Sequence, residues 1–162
     1  MSEIKVVIKW TRLKKWKDVF ELDNEKDSGI YMINGYHPVF GDDALLYIGQ
    51  TKKQTFCKRF VQHEEWLENE WNKSIYVGRV ISINDKDEKI YHGNRWHAVV
   101  KKSEAILIYF HSPPYNSKNI SNPPRYKNKL RIISIGDCGD LYPEVSNEAL
   151  QLEKLSQRPS DE

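Results

Sequence analysis

The chain has 162 residues, 39% hydrophobic and 12% aromatic, with a net charge of +2. That is enough apolar material for one core and too little chain for two ordinary domains. So small a charge does not announce a nucleic-acid ligand; any electrostatic footprint must lie in its distribution.

The opening EIKVVIKW alternates loosely and predicts a strand, followed by Thr11 as a cap for an amphipathic helix bearing Leu13, Trp16, Val19 and Phe20. After a polar loop, Asp23 to Ser28, come two short β-rich runs, GIYMIN and LLYIGQ. They predict a hairpin with a long Gly, Pro and Asp connection through Gly35, Pro38, Gly41 and Asp43. From Thr55 to Trp71 the apolar spacing turns helical, with Phe56, Phe60 and Leu67 on one stripe, His63 among them and Arg59 at the edge. SIYVGRVISI, Ser74 to Ile83, predicts a strand, and the charged stretch Asn84 to Asn94 a loop or extended hairpin. Trp96 to Phe110 predicts a helix stopped by Pro113 and Pro114. Leu130 to Ile135 predicts a further strand, and Ser146 to Leu155 a short helix before a polar tail.

No apolar run approaches the ~18 residues needed to cross a bilayer, and the first residues lack the pattern of a secretory signal. The expectation is a soluble, cytoplasmic protein without a membrane partner. Cys57 and Cys138 stand alone, so two free thiols are expected rather than a disulfide or a zinc site. Lysine and arginine gather at residues 1–20, including Lys14 and Lys15, and at 115–131, including Lys118, Arg125 and Lys127. With Trp10, Trp16, Tyr115 and Tyr126 interleaved, these stretches suit a phosphate-lined groove, although a solvated charged face is the commoner meaning of one such cluster.

Side chains alternate across a strand, so Gly29 and Tyr31 share one face of the first run while Ile30 and Met32 share the other. Tyr47 and Gly49 likewise oppose Leu46 and Ile48. If Ile30 lies across from Ile48, Tyr31 faces Tyr47 and Gly29 faces Gly49, placing two phenols beside two bare glycine backbones on one open patch.

These tripeptides, Gly29-Ile30-Tyr31 and Tyr47-Ile48-Gly49, resemble those that name the GIY-YIG nucleases. Four further features follow in the family's order: YIGQT at Tyr47 to Thr51, a helix bearing Arg59 and His63, a helix carrying Glu104 in SEAILIYF, and PPYN ending in Asn116. The resemblance covers about residues 28–116. It implies an α/β (α+β) fold with a small central antiparallel sheet of about three core strands flanked by helices. The nuclease core would span 28–120, with an N-terminal strand and basic helix over 1–27 packed on it, a C-terminal extension over 121–155 and a flexible tail over 156–162.

The implied activity is phosphodiester hydrolysis with Mg2+, or Mn2+, held by Glu104. A lone carboxylate with waters and a substrate phosphate oxygen is how magnesium usually binds. Arg59 and His63, four apart on a helix, share a face; the guanidinium offers forked donors to a phosphate whose charge grows in the transition state. Family mechanisms give Tyr31 the role of base. A free phenol has a pKa of ~10, so it needs cationic neighbours such as His63, Arg59, Lys52 or Lys53. Tyr47 would hold phosphate or water, Gly29 and Gly49 would support the site, and Asn116, ahead of Asn119, would fix the loop beside it. Lys52, Lys53, Lys14, Lys15, Lys118, Arg125 and Lys127 are the candidate nucleic-acid contacts.

The function so implied is a restriction-type endonuclease acting on double-stranded DNA, as a homodimer if both strands are cut. A non-catalytic nucleic-acid-binding protein on the same fold, or an RNA-directed nuclease, are the alternatives.

Overall fold

The computed structural model describes residues 2–87, 93–148 and 150. Six strands run in the order β3-β2-β4-β1-β6-β7: β1 (Glu3–Arg12), β2 (Ile30–His37), β3 (Gly41–Gln50), β4 (Ser74–Ile83), β6 (Lys129–Gly136) and β7 (Glu144–Ser146). A two-residue strand, β5 (Lys86–Asp87), pairs with β4 off this path. The helices are α1 (Phe56–Val61), α2 (Glu64–Asn69) and α3 (Asn94–His111), with a 3₁₀ helix at Trp16–Glu21.

The expected three-stranded antiparallel core is therefore corrected to a six-stranded mixed sheet, curled into a half-barrel. β2 is antiparallel to both β3 and β4, but β1 continues the sheet beyond β4 and β6 lies parallel to β1. The flanks are sheet members. The alternation in each strand is local, whereas a parallel pair joins segments distant in sequence, and nothing in their spacing declares the pairing.

The hairpin register also differs. Ile30 pairs with Gln50, Tyr31 with Gly49, Met32 with Ile48 and Ile33 with Tyr47, a shift of two residues from the expected pairing. An even shift leaves every side chain on its expected face. The connection is short, since both strands extend to a turn at residues 38–40.

Each face of β2 carries its own core. Ile30 and Met32 join Val6, Ile8, Trp10, Ile48 and the apolar side of α3, while Tyr31 and Ile33 join Val19, Phe56, Phe60, Leu67, Ile75 and Val77. Each such side chain contributes roughly 1.5–3 kcal/mol on burial. Because both faces are covered, the patch around Tyr31 is filled rather than open: Tyr31 is 0% exposed.

Three local expectations change. The helix after β1 is a six-residue 3₁₀ helix, tightened where Asp18 accepts from the Lys15 backbone N–H at 2.9 Å and Leu22 N–H reaches Val19 O at 3.1 Å. The helix expected over Thr55 to Trp71 breaks into α1 and α2, because Gln62 and His63 bond three residues back, to Arg59 and Phe60. Ser146 closes β7 instead of opening a helix; most of that helix, from residue 151, and the tail lie outside the described residues, as do residues 88–92 of the charged segment. No helix among the described residues is long and apolar enough to cross a membrane.

Candidate active site

The hairpin end is closed by Gly29 and Thr51. Thr51 N–H donates to Gly29 O at 3.0 Å, and Gly29 N–H donates to Thr51 Oγ1 at 3.2 Å. Gly29 has φ +151°, and a Cβ there would stand 2.1 Å from Gly78 O, so only glycine lets β2 approach β4. A Cβ on Gly49 would stand 2.5 Å from the Tyr31 ring carbon and hydroxyl and 2.7 Å from the Tyr47 ring. The bare backbone of Gly49 is thus the floor on which both phenols rest.

The expected residues converge from separate elements. Tyr31 Oη lies 2.9 Å from His63 Nε2, with Tyr47 and His63 ring centroids 6.0 Å apart and Tyr31 and Tyr47 6.1 Å apart. His63 is the N-cap residue of α2, with φ −109° and ψ 0°. It therefore does not continue a helical face with Arg59; the tightened junction turns its ring onto Tyr31.

Arg59 donates from Nη1 to Gln62 Oε1 at 2.5 Å, while its buried Nε–H has no partner among the described residues. An orphaned guanidinium donor is costly unless an acceptor arrives. It is the cation acting on both Tyr31 and His63.

Burial pushes the Tyr31 phenol well above its ordinary range; Tyr47 and Glu104 add to this, and Arg59 opposes it. Burial, then Arg59 and Lys52, pull His63 down to about 4. At neutral pH the imidazole carries no charge and supplies none to lower the phenol. The pair is a protonated phenol hydrogen-bonded to a neutral imidazole, and with the ring proton on Nδ1 the phenol donates to Nε2.

Glu104 reaches the other side of β3 from α3. Its Oε2 accepts from Gln50 Nε2 at 2.5 Å, and it forms no ion pair among the described residues. Burial raises its pKa, against the pull of the Gln50 hydrogen bond and of Lys52, Arg59 and Lys101. The carboxylate opens into a groove of about 510 Å³ bordered by Tyr47, Gln50, Lys52, Lys101, Tyr115, Asn116, Lys118, Asn119 and Tyr126.

No cluster of three or more His, Cys, Asp or Glu able to hold a metal ion occurs among the described residues. The donor set does suit a divalent ion with one protein ligand: a half-buried, unpaired carboxylate at the wall of a polar groove whose lysines would face the remaining charge of a phosphate.

Asn116 ties the loop after α3 to the edge strand. Its Oδ1 accepts from Ile48 N–H at 2.9 Å and its Nδ2 donates to Ile48 O at 2.8 Å, as a neighbouring strand would. Tyr115 N–H adds a bond to Leu46 O at 2.9 Å. α3 ends just before, at Ser112 with φ 44°, and the two prolines carry the chain back across β3.

Lys52 and Lys53 follow β3 with φ 51° and 66°, a left-handed pair that glycine would adopt more readily. Of the seven candidate nucleic-acid contacts, Lys52 and Lys118 line the groove. Lys14 lies in a separate depression with Arg12, Trp16 and Lys73. Lys15, Lys53, Arg125 and Lys127 are exposed and border neither.

Sequence reasoning had not singled out Gln50, Lys101 and Trp66 as site residues. Lys101 precedes Glu104 by three residues on α3, a spacing that could have flagged it. Trp66 packs edge-on to Tyr47 and His63 at 6.1 and 6.3 Å. No family model, curated protein or solved structure matches the chain.

Proposed function

We propose that this protein is a divalent-metal-dependent endonuclease of the GIY-YIG type, restriction-type in its compactness and acting on double-stranded DNA, with two copies needed to cut both strands. One observation carries the reading. Glu104, a half-buried carboxylate without an ion-pair partner among the described residues, faces a lysine-lined groove bordered by Tyr47, whose ring adjoins the Tyr31–His63 pair. A binding surface for phosphates has no use for a buried anion, whereas a hydrolytic site does.

In this reading Glu104 holds Mg2+ or Mn2+, which when bound polarises the phosphate and its attacking water. Gln50 fixes the carboxylate from the opposite side. Arg59 turns its unused Nε–H to a phosphate oxygen as negative charge grows there. Tyr47 hydrogen-bonds the phosphate or the water.

Tyr31 and His63 form a proton relay. As the phenol oxygen takes the proton of the attacking water, its own proton passes to His63 Nε2, which is unprotonated above about pH 4 but, so depressed, is a weak base at neutral pH. Tyr31 is covered by its neighbours, so the water enters when the Tyr47 ring turns aside. Asn116 positions β3 and carries no proton.

The test is incubation of supercoiled plasmid and genomic DNA with the purified protein and Mg2+, beside Glu104→Gln and Tyr31→Phe. Cleavage that disappears in chelator and in both variants is expected. Equal cleavage by the Glu104→Gln protein would end the proposal.

A further inference from the structure

The site does not stop at the groove. From His63 a row of rings runs outward along the edge of the sheet: Trp66 at 6.3 Å, Tyr115 at 5.9 Å from Trp66, His37 at 6.3 Å from Tyr115, and Phe40 at 4.7 Å from His37. Two of its rings are open to solvent, Tyr115 at 42% and Phe40 at 66%, while Trp66 and His37 are half-buried.

Phe40 sits in the β2–β3 turn and packs into no core. The turn is nevertheless fixed: His37 Nδ1 accepts from the backbone N–H groups of Val39 and Phe40 at 3.2 and 3.3 Å, and its ring stacks on Phe40 at 25°. Holding a phenylalanine rigidly in water has no folding benefit.

Trp66, Tyr115 and His37 meet at 70° and 56° and do not stack on one another, whereas His37 and Phe40 cover one face of each other and offer the opposite one. Such separated, pre-set faces suit planar ligands taken one at a time.

The charges beside the row name the ligand. Tyr115 is also a wall of the groove that holds Lys52, Lys101 and Lys118, so a polyanion in that groove passes under the ring. At Phe40 the surface turns acidic, since Phe40 itself borders a depression shared with Asp42, Asp43 and Asp140. A phosphate backbone is thereby kept to the lysine side while flat, uncharged groups reach the tip.

We propose that the row Trp66, Tyr115, His37 and Phe40 is a stacking track for nucleobases, and that the strand to be cut is bound with the bases next to the scissile phosphate unpaired. Aromatic platforms beside a basic groove bind single strands with little regard to sequence, because every base has a π-face. A duplex substrate must open locally to use the track. This inference rests on the nuclease reading and narrows its substrate to nucleic acid with unpaired bases.

The test measures fluorescence anisotropy of two labelled probes, an oligothymidylate of roughly 20 nucleotides and an abasic deoxyribose-phosphate oligomer of the same charge. Both are titrated with full-length Glu104→Gln protein, alone and combined with Phe40→Ser or Tyr115→Ser. Tighter binding of oligothymidylate than of the abasic probe is expected, with each added substitution weakening only the former, by about fivefold or more. Because both side chains are exposed, the variants should keep the parent's circular dichroism. Equal affinity for the two probes, or full affinity for oligothymidylate in both variants, overturns the track and leaves the nuclease reading standing. No binding of either probe, together with no plasmid cleavage by the wild-type protein, overturns both.

Discussion

The Tyr31 hydroxyl and His63 Nε2, 2.9 Å apart, join the middle of β2 to the junction between α1 and α2. Arg59 also acts on that hydroxyl, through a side-chain hydrogen bond that lowers its pKa, and the ring is fully buried. Removing the hydroxyl in Tyr31→Phe deletes the hydrogen bond to His63 Nε2 and with it the first station of the proposed relay. DNA cleavage should fall by about 10²-fold or more. In the same variant the His63 imidazole, followed by NMR, should titrate above its wild-type midpoint of about 4, since its neutral form loses a hydrogen bond. An unmoved midpoint would show that the phenol does not donate to it.

The pH dependence of stability follows from the same depression. An unfolded chain holds His63 near its ordinary 6.5 and protonates it first as pH falls, whereas the folded chain resists until about 4. Its contribution is whole above pH 6.5, erodes between 6.5 and 4, and is gone below that. His111 acts in the same sense: burial lowers it, and its Nε2 accepts from Tyr142 N–H at 2.9 Å. Thermal melts at pH 7 and pH 5 should show the lower Tm at pH 5, and His63→Gln should narrow that gap.

Glu104→Gln is expected to do two opposite things. Charge burial raises the Glu104 pKa, so the carboxylate form costs stability as pH rises through the folded-state value. A neutral amide removes that cost. At pH 7 in chelator the variant should melt a few degrees above wild type, a gain on the order of 1 kcal/mol. If Glu104 holds the ion, Mn2+ should raise the Tm of the wild-type protein and leave that of the variant unchanged. Calorimetry with and without the ion reads both effects.

Gly49→Ala inserts a methyl 2.5 Å from the Tyr31 ring and hydroxyl. The Tyr31 phenol cannot yield far, because it is also packed edge-on to Phe60 at 4.7 Å. The substitution should cost about 1–3 kcal/mol and most of the activity. An unchanged melting temperature would mean that the two strands can part at little expense.

Asn116→Ala deletes both bonds to Ile48 and leaves part of the β3 edge to be satisfied by water. A loss of about 1–3 kcal/mol is expected. Hydrogen exchange at the Ile48 amide should accelerate more than at Met32, in the neighbouring strand.

Much of this site was legible in the residues, and the parts that were not share a cause. Tyr31 and Tyr47 meet over Gly49 with His63 on the Tyr31 hydroxyl, while Glu104 stands on the other side of β3 against Gln50. The state of Tyr31 was not legible. The cations near it suggest a lowered phenol, but its burial outweighs them, and burial comes from Phe56, Phe60, Val19 and Val77 closing over the ring. The aromatic row was invisible for the same reason: Trp66 lies on α2, Tyr115 in the loop after α3 and Phe40 in the β2–β3 turn, with no common spacing.

Local alternation and spacing determined which residues stand on which face of each strand and where the long helix ends, because those depend on neighbours within a few positions. The hairpin slid by two residues without moving one side chain to the wrong face, which is why its parity could be read and its register could not. Tertiary structure alone decided the parallel seat of β6 beside β1, the break that aims His63 at Tyr31, and the burial that holds their proton on the phenol. Each depends on packing between segments far apart along the chain, and no local pattern encodes how closely those segments will approach.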